Sequence, residues 1–314
     1  MTKQEIESFA RSALNSLYDL APLSLEPELA VAGVLSEIRE LLYLNSADVL
    51  TSRHGHFAVP GVIEQDYEER FYDLGEGKMV LAGIRHLNGS AELPFVSLYL
   101  GFSPTYADLS VLKNFARENF KKFSPLNVSL ELKTSSALTA ELEKEIIPAR
   151  EYIAGRIETI RASAKPSGYE RIELQRLLTD IDYSWYLNTY ADFHQKNPEL
   201  KQWVPVTEQE ELEKCASEGL LFQVMIDGKV AGIIGARSEA LLGVPAVYMT
   251  ELLLTTDFKK QNLAVALQRK FVDTLGPEFQ LIWGTIDAKN LASKKTALRV
   301  GRVSVRAEYF IPLS

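Results

Sequence analysis

The spacing of apolar and polar positions predicts the same run of elements twice. In the first half, 67–73 (YEERFYD) reads as a strand, Gly75-Glu76-Gly77-Lys78 as a turn and 79–87 (MVLAGIRHL) as a second strand. After Asn88-Gly89, 94–102 (PFVSLYLGF) alternates as a third strand. Leu109, Leu112, Phe115, Ala116 and Phe120 then recur at helical spacing, and a strand returns after Pro125. In the second half, 220–226 (LLFQVMI), the Asp227-Gly228 turn, the segment from Lys229 and 246–254 (AVYMTELLL) predict three strands. Leu263, Ala266, Leu267, Phe271 and Leu275 mark one face of a helix, and FQLIWGTI after Pro277 is a further strand.

Three anchors align the halves. Gly77-Lys78 matches Gly228-Lys229 and Pro94 matches Pro245 at an offset of 151, and Pro125 matches Pro277 at 152. Two related α+β units are expected. Helices are expected at about 3–20 and 26–45, and again at 169–180 and 183–195. A long helix kinked near Pro148 is expected over 136–162, with a linker at Ala164-Lys165-Pro166-Ser167-Gly168. The boundary therefore falls near 164, dividing the chain into 1–163 and 164–314.

Composition narrows the classes. With 314 residues and 46% apolar residues, the chain can bury one or two cores without staples. A net charge of −8 argues against nucleic acid or an anionic membrane as the main partner, since both need clustered Lys and Arg. One cysteine, Cys215, excludes an intramolecular disulfide and a Cys-rich zinc site. No signal-peptide pattern opens the chain and no apolar run approaches membrane-spanning length, so a cytoplasmic setting is expected.

The segment from Met249 to Leu267 concentrates the chemistry. A strand ends, a polar basic loop follows, and an amphipathic helix begins at once. Unpaired amides at the helix start, the helix dipole and Lys259-Lys260 together make an anion site suited to a pyrophosphate. Glu251 lies among Leu252, Leu253 and Leu254, where apolar burial would raise its pKa toward that of a general base.

This stretch resembles the GNAT superfamily of N-acyltransferases, which bind acyl-coenzyme A. Their loop runs Pro-x-aromatic-Arg-Gly-x-Gly-x-Gly/Ala between strand and helix. Here Thr256 stands at the Pro, Phe258 at the aromatic, Lys259 at the Arg, Asn262 at the central Gly and Ala264 at the last small residue. Asn290, Ser293, Ala297, Gly301 and Arg302 occupy the slots of the family's second motif, with Ala297 where an acid-supplying Tyr would stand. The resemblance covers about 170–314 well, and 65–135 only through the repeat.

It implies a tandem fold of mixed, mostly antiparallel sheet with flanking helices. The acyltransferase unit is the C-terminal one and the N-terminal unit is a degenerate relative. It also implies that strand 303–312 closes the C-terminal unit. The co-substrate would be acetyl-CoA or another acyl-CoA, with no metal, and the acceptor a small-molecule or peptide amine attacking the thioester directly. By the same analogy the amides of Leu252, Leu253 and Leu254 pair with pantetheine and polarise the thioester carbonyl. Backbone amides among Lys260, Gln261, Asn262, Leu263, Ala264 and Val265 hold the pyrophosphate, with charge from Lys259 and Lys260. Tyr309, or water held by Ser293, is the candidate donor to the departing thiolate, and Asn290 belongs to the cofactor side.

Plainer readings stand beside these. Glu251 is equally read as a solvent-facing strand residue, Lys259-Lys260 as a solvated loop, Asn290 as a helix cap and Gly301 as a C-cap. Cys215 is a quiet helix residue and His54-Gly55-His56 a loop rather than a metal site; His194, in the Tyr/Trp-rich stretch SWYLNTYADFHQ, reads as packing before one wall of the acceptor pocket. In the first unit Asp108 would cap its helix and repel a phosphate. A catalytically weak or inactive acyl-CoA-binding protein is the alternative function, supported by Asn262 and Ala297. A tandem enzyme using charged tRNA is a third, disfavoured by the acidic charge. Either a monomer or a homodimer fits.

Overall fold

The structure, a computed structural model, describes residues 1–136, 145–178, 181–259 and 261–313. Two compact units emerge, one of residues 1–150 with 305–314 and the other of 151–304.

The first unit opens with three helices, α1 (Lys3–Leu17), α2 (Pro27–Tyr43) and α3 (Ala47–Phe57). Thr2 starts α1 with a reciprocal capping box to Glu5. His54 and His56 lie on α3 and not in the expected loop; Ala58, left-handed at φ 46°, ends it. Strands β1 (Arg70–Asp73), β2 (Met79–His86) and β3 (Pro94–Leu100) follow, then α4 (Asp108–Asn119) and β4 (Asn127–Leu132). The β1–β2 and β2–β3 pairs are antiparallel and β3–β4 is parallel. The core gathers alternate strand residues, such as Val80, Ala82, Ile84, Val96 and Leu98, against Leu109, Leu112 and Phe115 of α4.

The chain passes from the first unit to the second within β5 (Ile147–Arg156), which leads into α5 (Ile157–Ala162). This corrects the long helix expected over 136–162, of which 137–144 lie outside the described residues. Ala, Glu and Arg give 147–156 helical propensity, but burial of Ile153 and Ala154 prevails, and Pro148 is tolerated near the start of a strand. The helix expected at 169–180 is also corrected. A short 3-10 turn over Tyr169–Arg171 leads into β6 (Ile172–Arg176), which pairs with a neighbour along its whole length; 179–180 lie outside the described residues.

The second unit continues through α6 (Tyr183–Lys196), α7 (Gln209–Ser217), β7 (Leu221–Ile226), β8 (Lys229–Ser238) and β9 (Ala246–Leu254). A single turn, α8 (Thr256–Lys259), precedes α9 (Ala264–Thr274), β10 (Leu281–Asp287) and α10 (Leu291–Arg299). Its strand order is β5-β10-β9-β8-β7-β6, antiparallel from β6 to β9 and parallel at β9–β10. Helix α9 packs on one face through Leu263, Ala266, Leu267 and Phe271. Helices α6 and α7 cover the other through Tyr186, Tyr190, Leu212 and Cys215.

The final strand, β11 (Val303–Pro312), expected to close the second unit, falls from Val305 on with the first. It pairs antiparallel with β4, from Ala307↔Leu132 to Pro312↔Asn127, and completes the order β1-β2-β3-β4-β11. The β4–β11 ladder and the Leu313 N–H to Leu126 O bond tie it to that unit. Within the described residues both units are thus mixed, mostly antiparallel sheets with flanking helices. The repeat survives at its turns: Glu76-Gly77 and Asp227-Gly228 both have two positive φ values, the twist a two-residue hairpin turn requires. No helix of the described residues is long and apolar enough to cross a membrane.

Candidate active site

The second unit's third strand carries two irregularities that build the site. Parallel pairing with β10 covers only Ala246, Val247 and Tyr248, after which β9 runs on without that neighbour. Pairing with β8 skips Thr250, so that Gly235 faces Glu251 while Ala236 faces Met249. This bulge changes which face each side chain takes. Val247 and Met249 face α9, as do Leu252 and Leu254, while Leu253 faces α6 and α7. Glu251 is thereby turned to the α6 side, where regular alternation from Val247 would have put it on the other.

There Glu251 is 6% exposed. Tyr186 Oη donates to Oε2, Tyr190 Oη lies 3.0 Å from Oε2 and 3.1 Å from Oε1, and Thr207 Oγ1 is 3.2 Å from Oε2. The Leu252 N–H donates to Oε1 at 2.8 Å. Among the described residues every one of these donors is neutral. Burial raises the Glu251 pKa, and the hydrogen bonds pull it back in part. Burial also raises both tyrosines, with the neighbouring carboxylate adding to it.

Thr207 is itself fixed on three sides. Its N–H donates to Tyr186 Oη at 3.0 Å, its hydroxyl to Glu251, and its carbonyl accepts from Tyr183 Oη at 2.9 Å. The preceding segment is tied by His194 Nε2 to Val204 O at 2.9 Å, and Lys289 Nζ stands 4.4 Å over the Trp203 ring.

The end of β9 sorts the three amides named from the sequence. Thr255 N–H donates to Ala231 O of β8 at 2.8 Å. Strand alternation then aims Leu253 toward β8 as well, and Leu252 and Leu254 toward the side that β10 has left. Leu252 is already bonded by Glu251, and Leu254 is the other amide that alternation aims to that side. Beyond it, Asn262 is exposed and left-handed at φ 57°, a conformation Asn adopts more readily than most side chains. Leu263 begins α9 without a side-chain cap, and Leu267 N–H bonds Leu263 O at 2.8 Å. The first-turn amides, including Ala264 and Val265, have no acceptor within a helix.

The basic loop is arranged differently from expectation. Lys259 is half-buried with Nζ 3.5 Å over the Phe193 ring, and burial pushes its pKa down to about 8 against the attraction of Glu251 and Asp192. Lys260 lies outside the described residues. Gln261 Oε1 accepts from Arg171 at 2.9 Å, and its Nε2 donates to Asp257 O. Asn290 caps α10 by accepting from Ser293 N–H at 3.2 Å, and Ala297 is fully buried. Tyr309 lies on β11 and packs against the first unit's core, so it is not part of the Glu251 cluster.

A cleft of about 550 Å³ opens on the solvent side of α6, lined by Asp182, Trp185, Asn188, Asp192, Lys196 and Asp257 among others. Asp192 there bonds Lys196 at 2.7 Å and Thr256 Oγ1 at 2.5 Å. Sequence reasoning missed Tyr186, Tyr190 and Thr207. The tyrosines carried one usable signal, a spacing of four that puts both on one helical face; Thr207 carried none.

No protein-family model matches the chain, and no curated protein matches it. Among solved structures, a GCN5-related N-acetyltransferase from Sphaerobacter thermophilus is similar at 16% identity and a TM-score of 0.47, over 86% of this chain and 92% of that one. A GNAT-family acetyltransferase from Colwellia psychrerythraea is similar at 11% and 0.48, over 85% and 96%. A tandem GNAT protein from the clavulanic acid biosynthesis pathway is similar at 13% and 0.39, over 89% and 94%. At these values the chemistry of the site rests on its own residues.

Proposed function

We propose that the second unit is an acyl-CoA-dependent N-acyltransferase, with acetyl-CoA the first co-substrate to test and a small-molecule or peptide amine as acceptor. The observation that carries this reading is the parting of β9 from β10 after Tyr248, which leaves a strand edge leading to the uncapped start of α9. A pantetheine arm extends along such an edge by pairing with strand amides, here that of Leu254. The Gln261 amide already bonds Phe258 O at 3.2 Å, so a diphosphate suits the amides from Asn262 to Val265, where helix donors and dipole converge. Glu251 is the proton acceptor and Lys259 the nearby charge.

The rival reading, a protein that binds acyl-CoA without turnover, draws on two observations. Ala297 offers no proton to a departing thiolate, and the Leu252 amide is already bonded by Glu251.

Thermal denaturation with millimolar acetyl-CoA tests the shared premise. A ligand at a hundred times its Kd that binds only the native state stabilises by about 2.7 kcal/mol. An unchanged melting temperature would remove coenzyme A from both readings. Free-thiol release with a panel of amines then separates enzyme from binder.

A further inference from the structure

Glu251 is a buried carboxylate that receives four donors and offers none. Every hydrogen aimed at it favours the anion, and burial opposes the anion. The balance between the two sets when the group can accept a proton. We propose that Tyr186, Tyr190 and Thr207 are positioning residues that keep Glu251 a ready acceptor for the proton lost by the attacking amine.

This rests on the acyl-transfer reading above. In that reaction the amine nitrogen forms a bond to the thioester carbonyl carbon. The C–S bond breaks with its electron pair on sulfur, and one N–H proton passes to Glu251. Its return to the thiolate leaves an amide and a free thiol. The three donors do not react; they decide the pH above which Glu251 is empty of protons.

The groups facing Glu251 are few among the described residues. Helix α6 brings Tyr186 and Tyr190, the segment after it brings Thr207, and β9 brings the Leu252 amide. Cys215 of α7 shares the same core, with its thiol pushed up by burial. Lys259 is the cation whose attraction reaches Glu251, from its place over Phe193. Removing one hydroxyl takes one hydrogen bond from the anion and leaves these charges in place.

The test is a carbon-13 NMR titration of the Glu251 carboxyl in the full chain, assigned with Glu251→Gln, in parallel with the pH profile of kcat/KM for thiol release. Tyr190→Phe should raise the Glu251 midpoint by about one pH unit, the equivalent of one hydrogen bond to a charge. The acid limb of the rate profile should move by the same amount, with the acetyl-CoA thermal shift retained. Thr207→Val removes a donor from the adjoining segment and should move both in the same direction, which keeps the test open if Tyr190→Phe does not fold. A midpoint that stays put while thiol is still released overturns the positioning role alone. A midpoint that moves in a protein that never releases thiol overturns the acyl-transfer reading, and with it the acceptor role.

Discussion

Each unit buries two tyrosine hydroxyls on one glutamate, and the two clusters are completed in opposite ways. In the first unit Tyr18 and Tyr99 donate to Glu37 at 2.6 and 2.9 Å, and Arg306 reaches the same carboxylate at 2.9 Å while also pairing with Glu131. In the second, Tyr186 and Tyr190 donate to Glu251, and the remaining bonds come from a hydroxyl and an amide. A guanidinium completes the Glu37 cluster, whereas neutral donors alone complete the one around Glu251. The loops before the matching helices differ in the same sense. Neither helix has a side-chain cap, but Asp108 stands in the first turn of α4, bonded to Thr105 N–H at 2.8 Å and Lys78 at 2.9 Å, whereas the first turn of α9 holds no acidic residue. A carboxylate stands at the start of α4 where α9 has none.

Four experiments can break or sharpen that contrast. The largest effect is expected from Arg306→Met, which takes the guanidinium away from Glu37 and Glu131. Loss of one partner of a buried pair costs about 3–5 kcal/mol, measurable by denaturant unfolding. A cost below about 1 kcal/mol would mean the cluster is not held by charge. Next, Glu251→Gln should lower thiol release by at least about 100-fold, the low end for a general base, while acetyl-CoA still raises the melting temperature. Equal turnover in the variant would place the proton elsewhere.

The two remaining effects separate the units by pH. His86 of the first unit is stacked on Phe57 at 3.7 Å, and burial, aided by Arg53 and His56, pushes its pKa down to about 4. The folded form binds fewer protons than the unfolded one between pH 6.5 and 4. Its stability contribution is therefore intact above 6.5 and lost as pH falls through that window. His86→Phe should flatten the acid limb of the stability profile. Lys259 of the second unit, held near 8 against an ordinary 10.5, acts at the alkaline end. The unfolded chain binds more protons between those values, so stability should rise with pH there, and Lys259→Met should abolish the rise. Profiles unchanged by either substitution would reject the corresponding environment.

What the sequence determined by itself is local. The hairpin turns at Glu76-Gly77 and Asp227-Gly228, the amphipathic helices α4 and α9, and the strand–loop–helix order around Asn262 were all legible, because each depends on neighbours within a few residues. Tertiary structure decided what depends on partners far along the chain. Residues 147–156 became a strand although their composition suits a helix, and β11 joined β4 because a ladder, and not a propensity, chose its place. The bulge at Thr250 is the sharpest case. Glu251 was visible as a candidate, but its face, its burial and its tyrosine donors follow from one skipped residue in the pairing with β8. Side-chain direction in a strand has a period of two, so a single unpaired residue reverses it, and only the partner strand records that it is there.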